Sequence, residues 1–177
     1  RNIVRKAAAT TRSSKASFCQ GSVTTLPFRD DAFDRIICSG VIWYLASLDE
    51  VDKLIRECHR VLKPDGILII DFLNKFSPSI MVTSLLHRAY TQPPRYISPF
   101  WFIKELKKAG FKIIQYRGFN FGLFTGYRYL FMHRWKIFDP YFIQERWSRL
   151  IESKVVPHLN KIGFWGHRVY VKCRKVE

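Results

Sequence analysis

A capped helix stands between two short, continuously apolar runs, and this order of elements decides the fold class. Residues 47–62 carry apolar side chains at helical spacing, and Ser47 and Glu50 form a capping box at their start. The runs 33–39 and 67–72 are apolar without alternation, which predicts strands covered on both faces. Because strands separated by helices build βαβ units, the sequence predicts an α/β fold with a mainly parallel sheet.

The rest of the chain continues this alternation. We expect a helix over 2–9, a strand over 16–21, a helix within 78–90, a helix from Ser98 to Gly110, a strand over 111–116, a helix from Asp139 onward and a closing strand over 168–175. In such folds, ligands bind at the carboxyl ends of the strands. The chemistry is therefore expected directly after Gly21 and directly after Ser39.

Composition narrows the class of protein. The chain has 177 residues, 47% hydrophobic and 25% charged, so one globular domain is expected and a disordered chain is excluded. The four cysteines form no C-x-x-C pair and the histidines have no metal-ligand spacing, so no metal site is predicted. No apolar run reaches the roughly 20 residues of a membrane span. Because free thiols suit a reducing compartment, we expect a cytoplasmic location.

The charge is strongly positive and unevenly distributed. The net charge is +16, and the basic excess lies in residues 1–20 and 112–177. Such ends attract anions, which include RNA, anionic lipid surfaces and phosphorylated small molecules. A basic enzyme with no polyanionic partner remains an equal alternative. The charge therefore leaves the partner open, and nothing in the sequence fixes the oligomeric state.

Four motifs occur in a characteristic order. They are the run FCQGSVTTLPF at 18–28, Phe33-Asp34, the run IICSG at 36–40 and the run RVLKPDG at 60–66. In this order they resemble the class I S-adenosylmethionine-dependent methyltransferases, and among these the type 11 group and the ubiquinone/menaquinone C-methyltransferases. The resemblance is good over residues 1–72 and loose over 98–116.

This resemblance implies a fold and a function. The fold would be a Rossmann-like sheet, mostly parallel with an antiparallel last strand, in a single domain over 1–177. Residues 1–116 would form the core, 117–167 an insertion over the substrate site and 168–175 the last strand. The function would be methyl transfer from S-adenosylmethionine to a small or lipid-like acceptor, with S-adenosylhomocysteine as product.

The resemblance also assigns cofactor-binding residues. Gly21, Ser22 and Val23 would meet the adenine, and Ser39 and Gly40 would face the methionine part of the cofactor. Gly40 suits this place because glycine lets a backbone come close to a ligand. Two further roles follow from the same motifs: the 26–28 loop of Leu26, Pro27 and Phe28 would wall the adenine slot or pack against the core, and Asp34 would bond backbone groups where its strand begins.

Aromatic residues after the second loop suggest a substrate pocket. Trp43 and Tyr44 could attract the sulfonium through their ring faces and bound the acceptor, or could pack beneath the helix at 47–62. A general base is needed only for some acceptors. The candidates are Tyr44, His87, His133 and His167, with His133 and Tyr44 placed first, although no sequence partner singles out any of them.

Two parts of the family pattern do not occur in the chain. The glycine-rich turn for the cofactor's carboxypropyl end is absent, as is the acidic residue for the ribose hydroxyls, and residues 2–9 resemble the helix that directly follows that acid. We therefore expect an N-terminally incomplete fold whose activity alone is uncertain. Residues 117–167 interleave aromatic and basic side chains, which suits an acceptor lid, an anionic membrane surface or RNA. The rival functions are RNA methylation and a non-catalytic scaffold.

Overall fold

A computed structural model describes residues 2–11, 16–77, 95–119 and 166–176 of the chain. Its elements, in chain order, are α1 (Asn2–Thr10), β1 (Phe33–Cys38), a 3-10 turn (Ile42–Tyr44), α2 (Leu48–Val61), β2 (Leu62–Asn74), β3 (Tyr96–Ile97), α3 (Pro99–Lys108), β4 (Phe111–Phe119) and β5 (Arg168–Lys175). Among these described elements, no helix is long and apolar enough to cross a bilayer.

The strands form one open sheet in the order β1-β2-β5-β4, with β3 paired to the end of β2. β1 and β3 run parallel to β2, whereas β5 runs antiparallel to both β2 and β4. Of the described strands, only the last is therefore reversed. This confirms the predicted fold class, a mostly parallel Rossmann-like sheet with an antiparallel last strand.

One face of the sheet, here called the core face, is apolar and is covered by α2 and α3. The buried side chains alternate along β2 and β5, as the strand period requires. Phe72 of β2 meets Phe102 of α3, with ring centroids 4.6 Å apart. The fully or almost fully buried core includes Val51, Leu54, Ile55, Leu68, Ile70, Phe72, Phe102, Leu106, Val169 and Val171.

The predicted starts of α2 and α3 are confirmed. Ser47 Oγ accepts the Glu50 N–H at 3.1 Å, and the Glu50 carboxylate accepts the Ala46 N–H at 2.7 Å. This is a capping box displaced by one residue, because the return bond goes to Ala46 instead of Ser47. At the start of α3, Ser98 Oγ accepts the Trp101 N–H at 3.5 Å, with Pro99 in the first turn and no return bond among the described contacts.

The motif after α2 is a bulge inside a strand. α2 ends at Val61 and β2 begins at Leu62, so residues 63–66 lie opposite Asp34 alone. Asp65 has a φ of 60°, and a Cβ on Gly66 would lie 2.7 Å from the Lys63 carbonyl oxygen. Only a glycine fits at that approach.

Three expectations about local structure need correction. Residues 16–21 form no strand among the described residues, because no neighbouring strand supplies a ladder and Phe18 is 42% exposed. Ile37 is 73% exposed, so β1 is not covered on both faces by the described elements. The Asp34 carboxylate binds the Lys63 ammonium at 2.8 Å beside a backbone hydrogen bond of its own, so it is not confined to the backbone role that we expected.

The structure bears on only one part of the predicted domain boundaries, the start of the insertion. β4 continues to Phe119, so residues 117–119 of the predicted insertion belong to a strand. The rest of that insertion up to residue 165 lies outside the described residues. The same holds for the helices predicted within 78–90 and from Asp139 onward.

The opposite side of the sheet is here called the basic face. The register pairs Lys112 with Arg174, Gln115 with Lys172 and Arg117 with Tyr170 across β4 and β5. Paired residues share one side of a sheet. The cations on this face are Arg35, Lys112, Arg117, Arg168, Lys172 and Arg174.

Candidate functional site

The turn that follows β1 is held by a buried carboxylate. Gly40 has a φ of +77°, a conformation that favours glycine, and its N–H donates to Asp71 Oδ1 at 2.8 Å. Asp71 lies on the neighbouring strand β2 and is fully buried. A carboxylate buried in this way must have its hydrogen-bonding capacity filled. The Gly40 N–H fills one side of it, so the turn and the carboxylate fix each other.

The other side of Asp71 is filled by Arg168. The Arg168 Nε donates to Asp71 Oδ2, and its Nη2 donates to Ser39 Oγ at 2.9 Å. The antiparallel register of β5 on β2 allows this contact. It sets Tyr170 opposite Asp71, and Arg168 lies two residues away on the same face of β5. One guanidinium therefore bridges the carboxylate and the Ser39-Gly40 turn. Planar, multiple contacts of this kind are what arginine provides and lysine does not.

Two aromatic rings enclose the same guanidinium. The Arg168 Cζ lies 4.9 Å from the Trp43 ring centroid and 5.0 Å from that of Tyr170. Ring faces attract cations at such distances. The Trp43 face that was expected to meet the sulfonium thus already lies against a cation of the protein. A sulfonium would have to use the other face or the edge of that ring.

The loop that carries Trp43 is fixed by Arg95. The Arg95 N–H donates to the Trp43 carbonyl at 3.3 Å, and its guanidinium binds the carbonyl oxygens of Leu45 and Ala46. Trp43 is partly buried in this arrangement, whereas Tyr44 is 81% exposed. Trp43 therefore bounds the site, and Tyr44 projects into solvent.

The first predicted loop is held by a different element. Residues 22–25 form a tight turn, in which the Thr25 N–H donates to the Ser22 carbonyl at 3.3 Å. The Leu26 N–H that follows donates to Glu57 Oε2 of α2 at 2.7 Å, and Arg60 binds the carbonyl oxygens of Leu26 and Phe28. The contacts that hold this loop are therefore made with α2. That the loop lies close to the Ser39-Gly40 turn stays a prediction.

The individual residues of the first loop have mixed surroundings. Gly21 and Ser22 are exposed, and a Cβ on Gly21 would lie 2.8 Å from Pro27 Cδ. Val23 packs against the core. The glycine is thus needed for the approach of Pro27, whatever it does for a ligand. The hydrogen bond to Arg60 also lowers the pKa of Glu57, which keeps this anchor charged.

The candidate bases are spread widely. His133 and His87 lie outside the described residues. His167 is partly buried directly before β5, where burial lowers its pKa, and its carbonyl oxygen accepts the Asn74 N–H at 2.9 Å. Burial raises the pKa of Cys38, which precedes Ser39, to about 11, so this thiol stays protonated and is no nucleophile at neutral pH.

Asp71 and Arg168 were missed by the sequence analysis. Asp71 carries a usable signal, because a single carboxylate inside a continuously apolar strand must be paired or functional. Arg168 carries none, since the closing strand holds several basic residues and only the register selects one of them. Among the described residues, no group of three or more His, Cys, Asp or Glu side chains is placed to hold a metal ion.

Comparison with known proteins identifies the family. Residues 2–70 match the family model described as a methyltransferase domain. These residues are part of a class I methyltransferase domain. The recognition of this domain from its motifs is thereby confirmed, and the cofactor of such domains is S-adenosylmethionine. The match ends in β2, directly before Asp71.

Relatives and solved structures agree with this methyltransferase domain. The chain is 31% identical over 128 residues to the ubiquinone/menaquinone biosynthesis C-methyltransferase UbiE of Campylobacter jejuni, covering 60% of this chain and 53% of that protein. It resembles an S-adenosylmethionine-dependent methyltransferase structure from Methanosarcina mazei with a TM-score of 0.63 and 15% identity, covering 99% of this chain and 78% of that one. The [4+2]-cyclase SpnF is similar in fold, with a TM-score of 0.57 and 20% identity, covering 99% and 60%.

The length of these matches limits what the known proteins say about the function of this chain. The chain spans about half the length of the curated relatives that it matches. The structural neighbours establish the fold alone, and one of them is described as a cyclase. Because one fold supports different reactions, the reaction of this methyltransferase domain must be argued from its own residues.

The residues of this domain fit one part of the expected cofactor. Gly40 offers a turn without a side chain, and a Cβ there would lie 3.4 Å from Trp43 Cζ2 and 3.9 Å from Arg168 Nη2. The space above this turn is thus bounded by a ring and a neutralised guanidinium. Such a place suits the methionine part of S-adenosylmethionine, and Ser39 and Gly40 would hold it.

Proposed function

We propose that this protein transfers a methyl group from S-adenosylmethionine to a small or lipid-like acceptor at the carboxyl end of β1. The observation that carries the proposal is the Gly40 turn, whose N–H is bound by the buried Asp71. The burial of a carboxylate to hold one turn is costly, and buried charges of this kind concentrate at functional sites. The turn lies where ligands bind in open α/β sheets.

The residues of the site act by positioning. S-adenosylmethionine, when bound, supplies the methyl group on its sulfonium. Gly40 lets the backbone approach that group, and Asp71 and Arg168 keep the turn in one conformation. Trp43, held by Arg95, bounds the space and excludes water from one side. Alignment of two reactants in a dry pocket provides most of the acceleration that such a transfer needs.

The relatives support a ring-bearing or lipid-like acceptor. The Campylobacter relative is named for ubiquinone and menaquinone biosynthesis, and we propose an acceptor of the same broad kind. Which atom is methylated, and whether Tyr44, His133 or His167 serves as a base, stay predictions. We also propose a cytoplasmic location and contact with an anionic membrane surface.

The test is a calorimetric titration of S-adenosylhomocysteine into the full-length protein. We expect micromolar binding, about −8 kcal/mol. Gly40→Trp should abolish it, because the ring would fill the space above the turn. Ser39→Leu adds bulk beside the turn without left-handed backbone strain and should weaken the binding of S-adenosylhomocysteine. This second variant keeps the test valid if Gly40→Trp does not fold.

Lys63→Trp is the matched control. It adds the same ring at the other end of the strands, where Lys63 is exposed beside Asp34. This variant should bind like the wild type. Binding that survives both site variants would contradict the placement of the site, and a folded full-length protein without any binding would favour the scaffold function.

RNA methylation is the second candidate, favoured by the basic face. It requires RNA affinity that falls steeply with salt, with a logarithmic slope of about 0.7 for each phosphate neutralised on a single strand. An affinity that does not respond to salt would remove this candidate.

A further inference from the structure

The basic face contains an open cavity of about 420 Å³. That size lies within the usual range of small-molecule sites, roughly 300–1,000 Å³. β4 and β5 supply most of its lining, namely Gln115, Arg117, Phe119, Arg168, Tyr170 and Lys172. Arg168 also binds Ser39, so the cavity adjoins the Gly40 turn without an intervening element.

The charges around this cavity have one sign. Among the described residues that line it there are three cations and no carboxylate. Asp71 neutralises Arg168, but among the described residues neither Arg117 nor Lys172 has an ion-pair partner. Arg117 is held in place instead, because the Gln115 amide oxygen, turned toward it, accepts from its Nε at 3.0 Å and its Nη2 at 3.1 Å. An oriented guanidinium without a carboxylate is a ready anion site.

The like charges beyond the cavity support the same conclusion. Lys112 and Arg174 stand directly opposite each other on β4 and β5. Opposed like charges destabilise a sheet. Neither side chain lines the cavity, and Arg174 Nη1 has Asp65 Oδ1 3.9 Å away, so the two residues add to the positive charge of the face without contacting a ligand in the cavity.

The cavity also offers two aromatic rings. Phe119 and Tyr170 pack edge to face, with ring centroids 5.2 Å apart, and Phe119 remains 42% exposed. Exposed ring surface beside a set of cations suits a ligand that has both an apolar ring and a charge. The rings lie near Arg168, at the end of the cavity that adjoins the Gly40 turn.

We propose that this cavity binds a small anionic molecule with a planar ring, held at its carboxylate or phosphate by Arg117 and Lys172, and that this molecule is the methyl acceptor. The second clause rests on the proposed function, and the first does not. The ring would lie on the exposed Phe119 and on the part of Tyr170 that Arg168 does not cover, at the side of Arg168 that leads to Ser39. A compact cavity of cations around two rings favours such a molecule over an extended polyanion.

The test uses 2-naphthoate as the probe and the uncharged 2-naphthamide as its isostere, both titrated into the full-length protein by calorimetry. We expect the carboxylate to bind about fivefold tighter or more, as a hydrogen-bonded charge pair provides. Arg117→Gln and Lys172→Gln should each remove most of that preference and leave the affinity for the amide unchanged. Lys112→Gln is the control, because it removes a charge from the same strand and face outside the cavity.

Each outcome decides the proposal. Equal affinity for the two probes, or an effect of Lys112→Gln as large as the cavity variants, would overturn it. So would an RNA oligonucleotide that binds far tighter than naphthoate and loses affinity equally in all three variants, since the face would then be an RNA surface. S-adenosylhomocysteine is titrated separately: its failure to bind the wild type would refute methyl transfer, while a retained naphthoate preference would still establish the anion site.

Discussion

The two faces of the sheet are formed by the same strands but bury different kinds of side chain. On the core face, β2 buries Leu68, Ile70 and Phe72 beneath α2 and α3, and the packing alone accounts for their burial. On the basic face, the residue between Ile70 and Phe72 is Asp71, which is buried just as completely. Its burial is maintained by two specific partners, the Gly40 N–H and the Arg168 guanidinium.

This difference shows where the sequence serves folding and where it serves a site. Core-face positions need side chains of the right size and would tolerate other apolar residues. Asp71 tolerates no such exchange, because its partners would be left without an acceptor. Natural proteins depart from the local rules of folding mainly at functional sites. The basic face is therefore where function is expected.

The largest expected effect comes from Asp71→Ala. It leaves the Gly40 N–H and Arg168 unpaired, and loss of one partner of a buried ion pair costs about 3–5 kcal/mol of unfolding free energy. Urea unfolding measures that loss. Calorimetry well below the unfolding midpoint should also show weakened S-adenosylhomocysteine binding, because the turn loses its anchor.

Phe102→Ala is the comparison on the core face. Removing this ring from its contact with Phe72 should cost a similar 3–5 kcal/mol. Its folded fraction should bind S-adenosylhomocysteine as the wild type does. If both variants lost binding to the same degree, the two faces would not differ in the way described here.

Gly40→Ala should have a smaller effect on stability. A left-handed backbone costs a non-glycine residue about 1–2 kcal/mol, and the added Cβ would meet Trp43 only at van der Waals distance. Gly110, with a φ of +91°, is the matched glycine beside the core face. Gly110→Ala should destabilise the fold at least as much, because its Cβ would lie 2.7 Å from His59 Nε2.

The two alanine variants separate the faces through binding. Gly40→Ala should weaken S-adenosylhomocysteine binding, whereas Gly110→Ala should leave the affinity of the folded protein unchanged. Thermal unfolding and calorimetry on the same samples give both quantities. Unchanged binding in Gly40→Ala would show that the turn does not touch the ligand.

The elements of the core face were predictable from the sequence because their causes are local. The Ser47 cap, the helical stripe of α2 and the apolar run of β2 are all visible in short windows. The alternation of Val169 and Val171 with polar neighbours likewise predicted β5. Each of these patterns recurs several times within one element. It can therefore be recognised without knowing which other element packs against it.

The sequence predicted the residues of the turn, namely Ser39, Gly40 and Trp43, but not the side chains that hold it. Gly40 follows a strand in a recognisable motif, so its place was expected. Asp71 and Arg168 are 97 positions apart and meet only through the register of β5 on β2. The strand predicted at 16–21 fails for the same reason, since a ladder depends on a neighbour that local sequence does not specify.

The smallest expected effect is a pH dependence near the core face. His59 packs edge to face on Phe111, and its Nε2 is buried without a hydrogen-bond partner among the described residues. Burial lowers the pKa of His59, and Lys175 adds to the effect, whereas a backbone hydrogen bond with Val176 and the charge of Asp31 oppose it. The unfolded chain then binds a proton more readily than the folded one, starting near pH 6.5. Stability should thus be highest above that pH and fall as the pH drops through the folded pKa.

His59→Gln isolates this contribution, because glutamine does not titrate and the burial that lowers the pKa of His167 is unchanged. Urea unfolding at a series of pH values from neutral to mildly acidic should give a shallower decline for the variant than for the wild type. S-adenosylhomocysteine affinity should show no corresponding difference between the two proteins, since the ring lies against Gly110 and Phe111 and not at the Gly40 turn. Identical pH profiles would mean that water reaches Nε2 in solution, and a change in affinity would couple the two faces that the other variants are expected to separate.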